Sequence, residues 1–359
     1  MRAANPVDFW RGVALVMIFI NHVPGNLFSY FTLRNYAISD AAELFVFLAG
    51  WSMSYATGKP GAPDPAGQVT FRLIFRAVQI YRAQLVITML ALAMLSGAAM
   101  YSGNPLFLEW LNAGLAFYDP VSGLIGLVLL TYQLGYFNIL PLYVVLLLPA
   151  PLFVLIARRS RLLALALSLG VYGWALVTGV SFPSWPSEER WYFNPLSWQI
   201  LLAVGFLAAE VARESEAFRR AARRAVPLAV VILIAGAFVT IFKYWPDPAR
   251  VPEPKLLFLF DKTYLSPARL ISLAALIITF HGIYPHIERF IGPVARWMCR
   301  LGRNSLAVFS VGSLLALAGQ MIRFVTGGGI FADIFIVSSG VILLGLTACF
   351  VEWRSRGSG

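Results

Sequence analysis

Residues 5–26 read NPVDFWRGVALVMIFINHVPGN and have the composition of a helix that crosses a membrane. Ten residues separate Arg11 from His22, and all but two of them are apolar. At a rise of ~1.5 Å per residue, one helix places the guanidinium and the imidazole about 16 Å apart along its axis. Pro24 follows closely and cannot continue the helix. The stretch therefore predicts a cation near one membrane face and a titratable ring near the other.

The composition of the whole chain also indicates a membrane protein. Hydrophobic residues make up 59% of the 359 residues and charged residues only 13%, whereas a soluble domain averages about 25% charged residues. The net charge is +11, but the basic residues lie at the ends of apolar segments, so we expect no nucleic-acid partner. Cys299 and Cys349 are far apart, and no His or Cys cluster has metal-ligand spacing, so we expect no metal site.

Apolar segments recur along the chain, and about 20 such residues span a bilayer. They predict an all-α, polytopic fold with about 10 transmembrane helices in one integral-membrane domain over residues 1–359. The ten expected segments are 8–28, 39–57, 70–98, 138–157, 161–179, 196–213, 226–245, 266–285, 302–324 and 330–352. Residues 104–137 are apolar but interrupted by Asp119-Pro120, so we expect interfacial or re-entrant helices between the third and fourth spans.

The distribution of Lys and Arg predicts the orientation. Arginines crowd the loops at 158–161 and 213–224, whereas residues 83–157 contain no Lys or Arg. We therefore expect both termini in the cytoplasm and His22 near the outer face.

Three residues are candidates for catalysis. A histidine in a membrane segment marks a functional site by default, which favours His22 as a general base. The alternative is a helix-end histidine that bonds a backbone carbonyl. Asp40 and Glu43 open the second helix on one face, where a carboxylate can orient the His22 ring and stabilise its protonated form. The alternative for these two acids is helix capping.

A cationic stripe opens the third segment. Arg72, Arg76 and Gln79 lie on one helical face, and Arg82 follows one turn later. Arginine binds phosphate bidentately. The stripe therefore favours a cytoplasmic donor of an acyl group that is rich in phosphate, such as a coenzyme A ester. Arg11 is a further candidate for the donor pyrophosphate. The alternative is a set of snorkelling side chains at the lipid headgroups.

The loops that we expect at the outer face contain polar and aromatic residues. These residues are candidates for binding the acceptor of the acyl group. An aromatic cluster there fits either a membrane belt or a platform on which sugars stack. The candidates for acceptor binding are Arg34, Asn35, Trp191, Asn194, Asp261 and Lys262.

Seven blocks between Asp8 and Leu315 form an ordered set: DFWRGVALVMIFINHVPGN, FTLRNYAISDAAELFVFLAGWSMSYATG, FRAVQIYRAQL, NILPLYVVLL, FNPLSWQ, DKTYLSPARL and LGRNSLAVFSVGSLL. The set resembles the membrane acyltransferase-3 superfamily, and more closely its OpgC branch, the succinyltransferases of osmoregulated periplasmic glucans. The resemblance implies a protein of the bacterial inner membrane that uses succinyl-CoA as co-substrate and a periplasmic glucan as acceptor. We expect no permanently bound cofactor.

Two other functions stay open at this point. One is acetylation of another cell-envelope glycan by an enzyme of the same superfamily. The other is proton-coupled secondary transport through His22 and Glu43. Transporters usually contain paired broken helices in two repeated halves, and this sequence has no such repeat.

The charge distribution makes a prediction about sidedness. Single cysteines at Ser187 and Ser215, in a background without Cys299 and Cys349, are treated with an impermeant thiol reagent on whole spheroplasts. We expect the reagent to label position 187 and spare position 215, because the arginine-rich loop stays in the cytoplasm. The reverse labelling pattern would place His22 at the cytoplasmic face.

Overall fold

A computed structural model describes residues 5–59 and 62–357. In these residues the chain folds into fourteen α-helices, five short 3-10 helices and one two-stranded antiparallel ribbon. The α-helices are α1 Pro6–Asn21, α2 Ala41–Ala56, α3 Ala66–Ser102, α4 Gly114–Tyr118, α5 Pro120–Val128, α6 Ile139–Leu147, α7 Ala150–Arg159, α8 Arg161–Thr178, α9 Pro195–Glu214, α10 Glu216–Arg224, α11 Val226–Ile241, α12 Pro267–Arg303, α13 Ser305–Val325 and α14 Ile330–Gly357. The 3-10 helices are Leu27–Phe31, Leu33–Asn35, Pro105–Asn112, Gly135–Asn138 and Lys255–Leu257, and the strands are β1 Gly58–Lys59 and β2 Ala62–Pro63.

The helices confirm an all-α membrane protein, but they do not confirm ten spans. Within the described residues, six helices are long and apolar enough to cross a membrane, or eight if the bent pairs α6–α7 and α10–α11 each form one span. Helices α1 and α2 have only 16 residues each. Such a helix is about 24 Å long, which is less than the ~30 Å hydrocarbon core of a typical bilayer.

The segment between α3 and α6 folds into short helices. The 3-10 helix Pro105–Asn112, α4 and α5 have 8, 5 and 9 residues, so none of them can cross a bilayer alone. Asp119 ends α4 and caps α5, where its Oδ1 accepts a hydrogen bond from the Ser122 N–H at 3.4 Å. The Asp-Pro interruption seen in the sequence therefore separates two helices.

Local chemistry determines where α1 begins and ends. Asn5 caps α1 by accepting a hydrogen bond from the Asp8 N–H at 2.9 Å, and Pro6 occupies the first turn, where its missing N–H costs nothing. After His22, Gly25 has φ of +75°, a conformation that glycine adopts without strain. The chain therefore turns sharply away just beyond the imidazole.

Glycines allow α1 and α12 to pack backbone against backbone. A β-carbon on Gly12 would overlap the Met298 carbonyl oxygen, and one on Gly302 would overlap the Asp8 carbonyl oxygen. Without a hydrophobic force between helices in lipid, such close approach is a main source of helix association. The contact fixes α1, and with it Arg11 and His22, against α12.

A second glycine contact joins α2 to α9. A β-carbon on Gly50 would overlap the Leu202 carbonyl oxygen, and one on Gly205 would overlap the Phe47 carbonyl oxygen. Helix α1 in turn packs against α2 and α13. The two glycine contacts therefore hold the helices on either side of the α1–α2 pair.

Gly12→Ala tests the α1–α12 contact. We expect it to destabilise the protein by about 1–3 kcal/mol, because the added methyl forces the two backbones apart. The measurement is thermal unfolding of the purified protein in detergent. Gly170→Ala in α8 is the matched control, since a β-carbon there meets nothing within 4 Å. Equal melting temperatures for both variants would contradict the close contact.

Candidate active site

His22 is the first residue after α1. Its backbone N–H donates to the Ile18 carbonyl oxygen at 3.0 Å, and its own carbonyl oxygen accepts from Gln320 Nε2 at 2.6 Å. The imidazole stacks on the Tyr136 ring with centroids 4.2 Å apart and planes 19° from parallel. Residues from α13 and from the 3-10 helix before α6 therefore hold both the backbone and the ring of His22.

The His22 ring lines a cavity of about 640 Å³. Its Nδ1 is buried and has no hydrogen-bond partner among the described residues. A neutral imidazole carries one donor and one acceptor nitrogen. The ring therefore lies in the cavity with no hydrogen bond at Nδ1 from any described residue to hold its tautomer.

Asp40 and Glu43 form a capping box at the start of α2, as the alternative interpretation predicted. The Asp40 carboxylate accepts a hydrogen bond from the Ala42 N–H at 2.8 Å, and Glu43 Oε2 accepts from the Asp40 N–H at 3.1 Å. Two amides of the first turn are thereby satisfied.

The same two acids pair with two cations. Glu43 Oε1 accepts from Arg269 Nε at 2.6 Å, and both side chains are buried. Asp40 forms an ion pair with Lys262. Burial alone would lower the pKa of Lys262, but the Asp40 and Glu43 carboxylates outweigh burial, so this pKa lies above its ordinary value. The Lys262–Asp40 pair is therefore ionised at neutral pH.

These contacts affect the prediction that Glu43 orients the His22 ring and stabilises its protonated form. Both Glu43 oxygens contact groups other than the imidazole, Oε1 the Arg269 guanidinium and Oε2 the Asp40 amide. Asp40 is the acid whose charge acts on the His22 ring, together with the charges of Lys262 and Arg34. A role of Glu43 in orienting His22 stays a prediction.

The candidates for acceptor binding separate into two groups. Arg34 and Lys262 line the cavity with His22. Asn194 is fully buried, where it caps α9 and donates from Nδ2 to the Val180 carbonyl oxygen at 2.8 Å. Trp191 is 3% exposed. These last two side chains are engaged in the packing of the outer loops.

Asn35 and Asp261 have local partners. Asn35 Nδ2 donates to the Ser29 carbonyl oxygen at 2.6 Å, and Asp261 Oδ1 accepts from the Tyr264 N–H at 2.7 Å. Each contact fixes a turn next to the cavity. Contact of either residue with an acceptor stays a prediction.

The cationic stripe on α3 has ion-pair and hydrogen-bond partners within the protein. Arg72 forms an ion pair with Asp64 and donates to the Ala56 carbonyl oxygen at 3.0 Å. Arg76 Nη1 donates to Gln79 Oε1 at 3.1 Å. The Arg72 guanidinium is therefore held by the connection between α2 and α3, whereas the Arg76 guanidinium contacts the neutral amide of Gln79.

Arg11 connects α1 to α2, and its guanidinium also lies 4.0 Å from the Asp8 carboxylate. Its Nη2 donates to Ser52 Oγ at 2.6 Å and to the Leu48 carbonyl oxygen at 3.0 Å, which directs the guanidinium toward α2. The charges of Arg11 and Arg76 act on each other, and both act on the buried Tyr143 hydroxyl. Two like charges held near each other favour an anionic ligand between them.

Sequence reasoning did not select several residues of the site. Arg269 was missed although it lies in the first turn of an apolar helix, which is itself a signal. Tyr136 gave no signal, because an aromatic residue before an apolar helix is usually packing. Trp245 was also missed, whereas Tyr192 and Phe193 belong to the aromatic cluster interpreted from the sequence as a membrane belt or a sugar-stacking platform; all three line the cavity.

The family of the chain emerges from sequence comparison. A family model described as OpgC protein matches residues 2–356, which is nearly the whole chain. No curated protein and no solved structure matches significantly.

The Glu43–Arg269 pair makes a prediction about stability. Arg269→Gln leaves the Glu43 carboxylate buried without its cation, and we expect a loss of about 3–5 kcal/mol. Adding Glu43→Gln should restore part of that loss, because the unpaired charge is removed. The measurement is unfolding in detergent, arranged as a double-mutant cycle.

Asp247→Asn is the control for this cycle. It breaks the exposed pair with Arg250 and should change stability by less than about 1 kcal/mol. A double variant as unstable as the sum of the two single variants would show that the pair is not coupled.

Proposed function

The chain belongs to the OpgC family, and on that premise we propose that it moves a succinyl group from cytoplasmic succinyl-CoA to hydroxyl groups of periplasmic glucans. Family membership points to a glucan-modifying acyltransferase. The succinyl donor, the periplasmic acceptor and the catalytic role of His22 are the proposal. One observation carries it, namely that His22 lines a 640 Å³ cavity together with the Asp40–Lys262 ion pair.

His22 acts as the general base in this proposal. It accepts the proton of the acceptor hydroxyl while that oxygen attacks the thioester carbonyl carbon, which forms a tetrahedral intermediate. Collapse of the intermediate breaks the carbon–sulfur bond, and the imidazolium returns its proton to the departing sulfur. Positioned proton transfer of this kind contributes about 10²–10⁴-fold to rate. Stacking on Tyr136 supports the role because it restricts the plane of the ring.

The donor enters from the cytoplasmic side in this proposal. Arg11 and Arg76 bind its phosphates, with Arg72 and Arg82 at the two ends of the stripe. The pantetheine arm then extends along α1 toward His22, over the ~16 Å that eleven helical residues span. The mutual influence of Arg11 and Arg76 supports a phosphate site, since an anion relieves the repulsion between them.

The acceptor approaches from the outer loops. Trp245 and Tyr192 are half exposed and line the cavity, which suits rings that stack on sugar faces. The Lys262 Nζ lies 6.0 Å from the centroid of the Tyr192 ring. Its ammonium group therefore contacts a hydroxyl of a sugar that stacks on this ring. The site thus combines stacking with hydrogen bonding at the end of the cavity opposite the donor arginines.

His22→Ala tests the function with purified protein, labelled succinyl-CoA and β-glucan. We expect succinyl transfer to fall at least 100-fold while succinyl-CoA binding stays close to wild type, because the imidazole acts on the hydroxyl proton. His286→Gln is the matched control and should keep its activity, since His286 is exposed on α12. More than about a tenth of wild-type turnover in His22→Ala would contradict the base assignment.

A further inference from the structure

The charges around the His22 cavity do not balance. Asp40 is paired with Lys262, and Glu43 is paired with Arg269. Arg34 also lines the cavity, and no described residue gives it a hydrogen bond or an ion pair. The group therefore contains three cations and two carboxylates, and Arg34 is the cation left over.

The segment that carries Arg34 is fixed to the end of α1. Thr32 Oγ1 donates to Asn21 Oδ1 at 2.7 Å, which joins the residue before the 3-10 helix Leu33–Asn35 to the residue before His22. Asn35 closes the same turn onto the Ser29 carbonyl oxygen. Arg34 is thus held near the imidazole, and its charge acts on that ring.

An unpaired cation at this position opposes the proposed chemistry. Protonation of His22 during hydroxyl attack adds a positive charge that Arg34 repels, and the Arg34 side chain is exposed and therefore open to a ligand. An anion bound to Arg34 removes this repulsion. The glucan is neutral, and Asp40 in the cavity and Glu43 behind it are already paired, so the reacting acyl group is the source of the anion at this end of the reaction.

We propose that Arg34 binds the free carboxylate of a dicarboxylic acyl group and thereby selects a succinyl donor over an acetyl donor. The inference rests on the proposed function and moves Arg34 from the acceptor to the acyl group. A succinyl thioester carries its carboxylate two methylene groups from the reacting carbonyl. A guanidinium can hold that carboxylate through two parallel hydrogen bonds. An acetyl group offers no charge and leaves Arg34 unpaired.

Lys262 and Arg269 do not fit this role. Each is held by a carboxylate of the capping box, and the two pairs join α2 to the outer end of α12. Release of either cation would leave a carboxylate without its partner, which is costly in a site of low dielectric. Arg34 makes no such contact and can bind a ligand without breaking a pair.

The test compares kcat/KM for succinyl-CoA and acetyl-CoA with the same glucan, using the full-length protein. We expect wild type to prefer succinyl-CoA. Arg34→Gln should lower the succinyl value by about 10- to 100-fold, as expected for loss of a charged hydrogen bond, and leave the acetyl value unchanged or higher. Arg34→Lys should retain an intermediate preference. Arg250→Gln, which alters an 87% exposed arginine in an outer loop, is the matched control.

The outcomes separate the inference from the function on which it rests. An equal loss for both donors would overturn the inference and assign Arg34 to the glucan or to the tetrahedral oxyanion. An unchanged ratio would also overturn it. If wild type transfers neither group, the proposed function fails. The ratio of succinyl-CoA to acetyl-CoA affinity, measured by calorimetry in wild type and Arg34→Gln, then still tests the contact.

Discussion

The pairing of Glu43 with Arg269 is the constraint on which the half of the molecule around His22 depends. Neither charge is stable alone at a buried position, so the start of α2 and the start of α12 must meet. Asp40 and Lys262 repeat the arrangement toward the cavity. Acids first recognised as helix caps therefore also join distant parts of the chain and form one wall of the cavity beside His22.

Helix α1 connects the two ends of the proposed reaction. Its glycine contact with α12 fixes the helix, and its helical rise over eleven residues sets the separation of Arg11 from His22. At only 16 residues, α1 is shorter than the hydrocarbon core of a typical bilayer. The distance from the first turns of α1 to its end is closer to the length of an extended pantetheine arm than a full membrane span would be. A donor held near the first turns can therefore reach the His22 ring.

Much of the fold was predictable from local sequence. Each of the ten apolar segments contains an α-helix, because a backbone in lipid must satisfy its own hydrogen bonds. The number of spans was not predictable, since a run of apolar residues does not show where a helix ends. The turn at Gly25 follows an α1 of only 16 residues. The bend between α6 and α7 divides another expected segment into helices of 9 and 10 residues.

The sequence by itself determined which residue types carry the chemistry: a histidine at a helix end, two acids one turn apart and a stripe of arginines. Only the tertiary structure decided their partners. Arg269 lies 226 residues from Glu43, and Tyr136 reaches His22 from another part of the bundle. The physical reason is that helix capping depends on neighbours along the chain, whereas a buried charge is neutralised by whatever group the packing of helices brings to it.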